Sequence, residues 1–182
     1  MPDMKQDEAR ERFAAVPVAR LATVDPEGRP HLVPVLFAVR GDEIVTAVDG
    51  KPKRSRRLRR LHNIAVSPAV CLLADEYDDD WDRLWWVRAD GGARILPPGT
   101  PGTPGTPGTP GTPGTPGTPG TSETSETSDA SDRADSSDEY AATIELLRQR
   151  YPQYRQQPPD GPVIVITVLH WSGWQASAPA AA

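Results

Sequence analysis

Residues Val18–Val39 read VARLATVDPEGRPHLVPVLFAV, and this stretch decides the fold. Two runs rich in valine and leucine, Val18–Val24 and His31–Val39, flank Asp25-Pro26-Glu27-Gly28. Proline at the second turn position presets φ, and glycine two residues later admits a positive φ, so the stretch predicts a β-hairpin. Arg40-Gly41-Asp42 supplies another tight turn, and Glu43–Val48 (EIVTAV) supplies a third strand. The first half therefore reads as an antiparallel meander.

Outward from the hairpin the pattern alternates between short helices and strands. Asp7–Ala15 predicts a first helix that ends near Pro17. Lys53–Asn63 predicts a second, with Leu58, Leu61 and Ala65 on one face. Ala69–Ala74 and Leu84–Val87 read as strands separated by the acidic loop Asp75–Asp82, and the second continues through a bulge at Gly91-Gly92 to Leu96. Tyr140–Arg150 is a helix with Asp138 as N-cap and Pro152 behind its end, and Val163–Trp171 closes the chain as a buried strand. Most strands are joined by turns too short for a parallel crossover. The fold class that follows is mainly β (α+β), an antiparallel six-stranded barrel with short flanking helices.

One segment stands outside this pattern. Seven Gly-Thr-Pro triplets run from Gly99 to Pro119, followed by a Ser/Thr/Asp/Glu tract to Glu139. This composition buries too little apolar area to offset ordering entropy, so residues 99–139 read as a disordered insert in a single domain of residues 1–98 and 140–176, with 177–182 a flexible tail. The insert holds seven acids and one base, Arg133, whereas the rest carries 19 bases and 18 acids; the net charge of −5 thus describes the insert. A lone cysteine, Cys71, fits a reducing compartment. No apolar stretch approaches the ~20 residues of a membrane span, and the N-terminal residues lack a signal-peptide core. A cytoplasmic protein is expected.

Asp49–Asn63, DGKPKRSRRLRRLHN, is the sharpest chemical feature: seven of the ten residues from Lys51 to Arg60 are basic. Placed where a strand hands over to a helix, they suit a phosphate or polyanion. A solvated helix face balancing the acidic loop remains an equal reading, and no nucleic-acid-binding motif accompanies the charges. Four of the five tryptophans lie in Leu84–Gly91 and Trp171–Trp174. Adjacent residues of a strand face opposite ways, so Trp85 and Trp86 cannot fill one core, and one of them lines a cleft or a subunit interface. His31, His62 and His170 show no metal-ligand spacing, and no G-x-S-x-G occurs. No metal and no catalytic residue is assigned.

The stretch from Arg20 through Thr23, Gly28, Pro30 and His31 to Pro34 and Val35 resembles the opening strand pair of the pyridoxamine 5'-phosphate oxidase-like split barrels. Thr46-Ala-Val-Asp49-Gly-Lys51-Pro52-Lys53, followed by Leu58–Ile64, is similar to that family's cofactor-tail site, and Trp85–Gly91 is similar to its later strand. Ser67-Pro68 stands where Asn-Pro is usual. The resemblance implies an FMN-binding-like split β-barrel, a homodimer with cofactor sites in grooves between subunits, and an oxidoreductase of the deazaflavin-dependent subgroup using coenzyme F420. FMN is the alternative cofactor, and a non-catalytic cofactor-binding protein the alternative function. FMN ends in one phosphate, whereas the deazaflavin carries a phosphodiester and an oligoglutamate tail, and seven bases exceed what one phosphate needs. The implied cofactor-binding residues are Lys51 and Lys53 for the tail, Arg56 and Arg57 as helpers, Thr46 through its hydroxyl, Pro34 and Val35 against the ring, and Trp86.

Overall fold

The computed structural model describes residues 4–49, 58–98 and 126–176, with side chains in the last segment from Asp135. The Gly-Thr-Pro triplets and most of the basic run lie outside the described residues. The elements in order are α1 (Gln6–Ala15), β1 (Val18–Val24), β2 (Pro30–Leu36), β3 (Ala38–Arg40), β4 (Glu43–Ala47), α2 (Arg59–Val66), β5 (Ala69–Glu76), a 3-10 turn at Trp81–Arg83, β6 (Trp85–Leu96), α3 (Glu126–Arg150), α4 (Pro152–Gln156) and β7 (Val163–Gln175).

The hairpin forms where the sequence places it. Gly28 has φ +80°, and its N–H bonds the Asp25 carbonyl at 2.9 Å. The Asp25 carboxylate then accepts the Glu27 and Arg29 amides at 3.1 and 2.8 Å. Gly41 has φ +57° in the β3–β4 turn. The run His31–Val39, however, is two strands rather than one.

Seven strands form one antiparallel sheet in the order β2-β1-β5-β6-β7-β4-β3. β2 and β3 are consecutive in the chain yet occupy opposite edges, so the sheet curls into a split barrel whose edges meet at Phe37. The expected meander is therefore broken after β2: β4 pairs with β3 and β7. Phe37 has no place in either ladder, and its buried amide and carbonyl need partners from elsewhere. Tyr151 provides them: its hydroxyl accepts the Phe37 N–H at 3.0 Å and lies 2.6 Å from the Phe37 carbonyl.

The interior is filled by alternate residues of each strand, including Ala19, Leu21, Leu72, Val87, Ile164 and Ile166, with Phe13 of α1. Phe13, Phe37 and Trp171 pack together, with centroid separations of 4.7 and 5.2 Å about Phe13. A second cluster lies on the outside of β3, β4, β6 and β7 under α3 and α4, and contains Val45, Val163, Val165, Leu147, Tyr151 and Tyr154. Tyr140, Thr143, Ile144, Leu147 and Tyr151 recur at helical spacing, which gives α3 its inward stripe.

Several boundaries differ from expectation. α3 begins at Glu126, twelve residues before the Asp138 cap, and Glu139, assigned to the insert, is tied into the domain. It accepts bonds from Arg94 at 2.8 Å and Arg40 at 3.0 Å, and Arg40 also bonds Glu43 at 2.7 Å. α2 presents Asn63 and Ile64 inward, while Ala65 is exposed. The irregularity near Gly91 falls on the opposite strand: Asp90 pairs with His170 and Gly91 with Val168, leaving Leu169 as the extra residue, 79% exposed. Gly91 is needed because a Cβ there would sit 2.3 Å from the Thr167 carbonyl oxygen. No helix among the described residues is long and apolar enough to cross a membrane.

Candidate functional site

A cavity of about 320 Å³ opens where five elements converge. β1 contributes Val18; β2 contributes Pro34, Val35 and Leu36; β4 contributes Thr46 and Ala47, with Asp49 just beyond; α2 contributes Arg60; α4 contributes Tyr154. Its volume lies at the lower end of the ~300–1000 Å³ range of small-molecule sites.

Local sequence explains each wall. β2 is an edge strand, where proline removes no ladder bond that matters, so Pro34 is tolerated there and presents an apolar surface. Thr46 faces inward from β4 and is buried. The end of β4 is held against the approach to β7: Val48 N–H bonds the Pro162 carbonyl at 2.9 Å, and Gly161 N–H bonds the Val48 carbonyl at 3.1 Å. A Cβ on Gly161 would press on Val48 at 2.7–2.9 Å, so glycine allows this approach and fixes where Asp49 emerges.

The polar end is charged and partly desolvated. Burial lowers the pKa of the Arg60 guanidinium, and the nearby Asp49 and Tyr154 oppose the shift. The cation persists all the same, since arginine loses its proton only far above neutrality. Burial pushes the Tyr154 phenol up to about 12, with Asp49 and Tyr151 adding to the rise and Arg60 opposing it. One end of the cavity thus holds a cation, a carboxylate and a protonated phenol, and the other holds Val18, Pro34, Val35 and Leu36.

Of the residues expected at a cofactor site, the structure brings Pro34, Val35 and Thr46 to this cavity. Lys51, Lys53, Arg56 and Arg57 lie outside the described residues, in the segment joining Asp49 to α2. Trp86 does not line the cavity. It stands on the outer face of β6, in register with Asp75 and Trp174, while Trp85 fills the core, as their alternation requires. His31, whose pKa is lowered by burial and then by the charges of Arg59 and Arg60, is also absent from the lining.

Sequence reading misses Tyr154, because Pro152 reads as a stop signal although it opens α4. Arg60 and Asp49 sit within the quoted basic stretch, where charge alone does not separate them from their neighbours. Helix phase is the available signal for Arg60, which stands three and four positions before inward-facing Asn63 and Ile64.

A family model described as pyridoxamine 5'-phosphate oxidase matches residues 6–101. The chain belongs to that family. The match spans α1 to the end of β6 and includes every cavity residue except Tyr154. No curated protein matches the sequence. Among solved structures, a conserved hypothetical protein from Mycobacterium tuberculosis has TM-score 0.56 at 19% identity, over 95% of this chain and 86% of that one. An FAD-binding protein from Mesorhizobium loti has TM-score 0.55 at 16% identity, over 97% and 96%. The heme storage protein HutZ from Vibrio cholerae has TM-score 0.54 at 14% identity, over 94% and 95%. These likenesses show a shared fold, and the names of two of these proteins give different ligands, so the ligand of this family member has to be argued from its own cavity.

Proposed function

We propose that this protein is a deazaflavin-dependent oxidoreductase that binds coenzyme F420 in the cavity bounded by Pro34, Val35, Thr46 and Arg60. The observation that carries the reading is one apolar wall facing a desolvated guanidinium, continuous in sequence with Lys51, Lys53, Arg56 and Arg57. A flat ring fits the proline-valine wall, and an anionic tail fits the basic segment. When bound in reduced form, the deazaflavin supplies a hydride to an activated double bond or similar small organic acceptor. The chain's own part is to bind and orient: Pro34 and Val35 against the ring, Thr46 through its hydroxyl, and Lys51 and Lys53 on the tail, helped by Arg56 and Arg57.

A homodimer accompanies this reading. Away from the part of β6 and β7 that lies under α3 and α4, registered rows cross the outer face of β2-β1-β5-β6-β7, among them Leu32-Ala22-Cys71-Asp90-His170 and Pro34-Arg20-Leu73-Arg88-Ser172. Leu32 is 61% exposed there. The cavity's Val18, Pro34 and Leu36 belong to the same face, so a second copy seated on it would close the cavity and bring its own Trp86 toward the site.

Equilibrium titration with coenzyme F420 and FMN in one buffer tests the cofactor. The deazaflavin should bind at least ~10-fold tighter, about 1.4 kcal/mol, and Lys53→Ala should weaken it by roughly 1–3 kcal/mol, with the loss shrinking as salt rises. Tighter FMN binding would favour an FMN enzyme of the same fold. Binding of either without turnover would favour a non-catalytic cofactor-binding protein.

A further inference from the structure

Tyr154 differs from the other cavity residues in its origin. α4 follows the insert and lies beyond residues 6–101, so the family match assigns it nothing. Its ring is held from behind by Tyr151, edge to face at 5.8 Å and 74°, and its N–H bonds the Tyr151 carbonyl at 3.0 Å. Because Tyr151 is itself bonded to Phe37, the Tyr154 ring is positioned relative to the strand corner that carries Val35 and Leu36.

The phenol's surroundings are set by the cavity. Tyr154 lines the cavity together with Asp49 and Arg60, and the charges of both act on its phenol, as Tyr151 does from behind. Tyr154 is only 6% exposed, and a buried tyrosine hydroxyl ordinarily has a hydrogen-bond partner. Among the described residues, no partner is within bonding distance of it, and none forms an ion pair with Arg60; neither group is sealed from solvent, so both are open to a ligand that enters the cavity. A protonated phenol and a guanidinium both offer hydrogens, so a ligand that bonds the two together does so through an acceptor.

We propose that the Tyr154 hydroxyl and the Arg60 guanidinium form a donor pair for a carbonyl or phosphoryl oxygen of the bound cofactor. The proposal rests on the cofactor reading above and adds a ligand-positioning residue from outside the matched segment. It makes α4 a specificity element, since a ligand with an acceptor at that point bonds the pair, whereas one without it covers two donors and gives them nothing in exchange for water.

Tyr154→Phe in the full chain removes one oxygen and keeps the ring contact with Tyr151, so its thermal midpoint should match wild type. Equilibrium titrations of wild type and variant with coenzyme F420, FMN and riboflavin should show about 3- to 10-fold weaker binding of the cofactor by the variant. Equal losses for FMN and riboflavin identify a ring or ribityl oxygen, and a loss confined to FMN and the deazaflavin identifies a phosphoryl oxygen. Arg60→Gln reads the other half of the pair, and its effect should be non-additive with Tyr154→Phe. Should wild type bind a cofactor and Tyr154→Phe bind it equally well, the donor pair is overturned while the cofactor reading stands. Should wild type bind none of the three, both fall together.

Discussion

Replacing Tyr151 by phenylalanine tests the corner that closes the barrel. The hydroxyl accepts the Phe37 N–H at 3.0 Å and the Arg150 Nε–H at 3.1 Å, and its single hydrogen is shared between the Phe37 carbonyl at 2.6 Å and the Pro17 carbonyl at 2.8 Å. Phenylalanine fills the same volume, so no cavity term enters. The main loss is the stranded Phe37 amide, a buried donor whose desolvation costs about 1–3 kcal/mol, and the carbonyls lose a shared donor worth about 1 kcal/mol. A destabilisation of roughly 2–4 kcal/mol follows, which for a chain of this size lowers the thermal midpoint by roughly 5–12 °C. Calorimetry and urea titration should agree on it. Tyr140→Phe is the comparison: it removes one bond from a half-buried phenol to the Gly161 carbonyl at 3.1 Å, and should cost about 1 kcal/mol or less. Equal midpoints for wild type and Tyr151→Phe would refute the argument that the corner depends on this hydroxyl.

Two further outcomes are expected. Gly91→Ala should destabilise by about 1–3 kcal/mol in urea unfolding, because its Cβ meets a backbone oxygen that cannot swing away; Gly92→Ala, which meets nothing within 4 Å, is the control, and similar values for the two would reject the close-approach account. Hydrogen bonding from Arg94 lowers the Glu139 pKa below its ordinary 4.5, so the contact's stabilisation is present above the unfolded value and is lost as pH falls through the folded one. The midpoint difference between wild type and Glu139→Gln should therefore narrow on acidification below about pH 4.5, and a difference unchanged in thermal scans between neutral and strongly acid pH would contradict the assignment.

What the sequence discloses depends on whether the cause is local. Asp25-Pro26-Glu27-Gly28 makes its turn from its own side chain and backbone, so it is readable, and the opposed facing of Trp85 and Trp86 follows from strand period alone. Phe37 cannot be read as a break, because nothing about a phenylalanine between Leu36 and Ala38 differs from a strand residue. The break exists because the sheet's two edges meet there, and the partner that makes it tolerable is 114 residues away. Pro34, Val35 and Thr46 come from resemblance and converge on one cavity, whereas Tyr154 depends on how α4 docks. Proline at the first position of a five-residue helix signals a start as well as a stop, and only packing of Tyr154 against Tyr151 decides between them.

The anchoring beyond the insert follows from what that segment must deliver. Lengthening a loop adds only logarithmic closure cost, so the length of residues 99–125 imposes little penalty if the chain that follows is held in place. Glu139 fastens α3 to Arg94 of β6 and Arg40 of β3, Tyr140 reaches the Gly161 carbonyl, and Leu147 is fully buried. Arg150 then bonds the Val16 carbonyl at 2.6 Å and lies 5.0 Å over the Phe37 ring. These contacts precede Tyr151 and Tyr154 in the chain and limit how far either can shift. Weakening them should therefore affect the corner and the cavity together, whereas changing the length of residues 99–125 should affect neither.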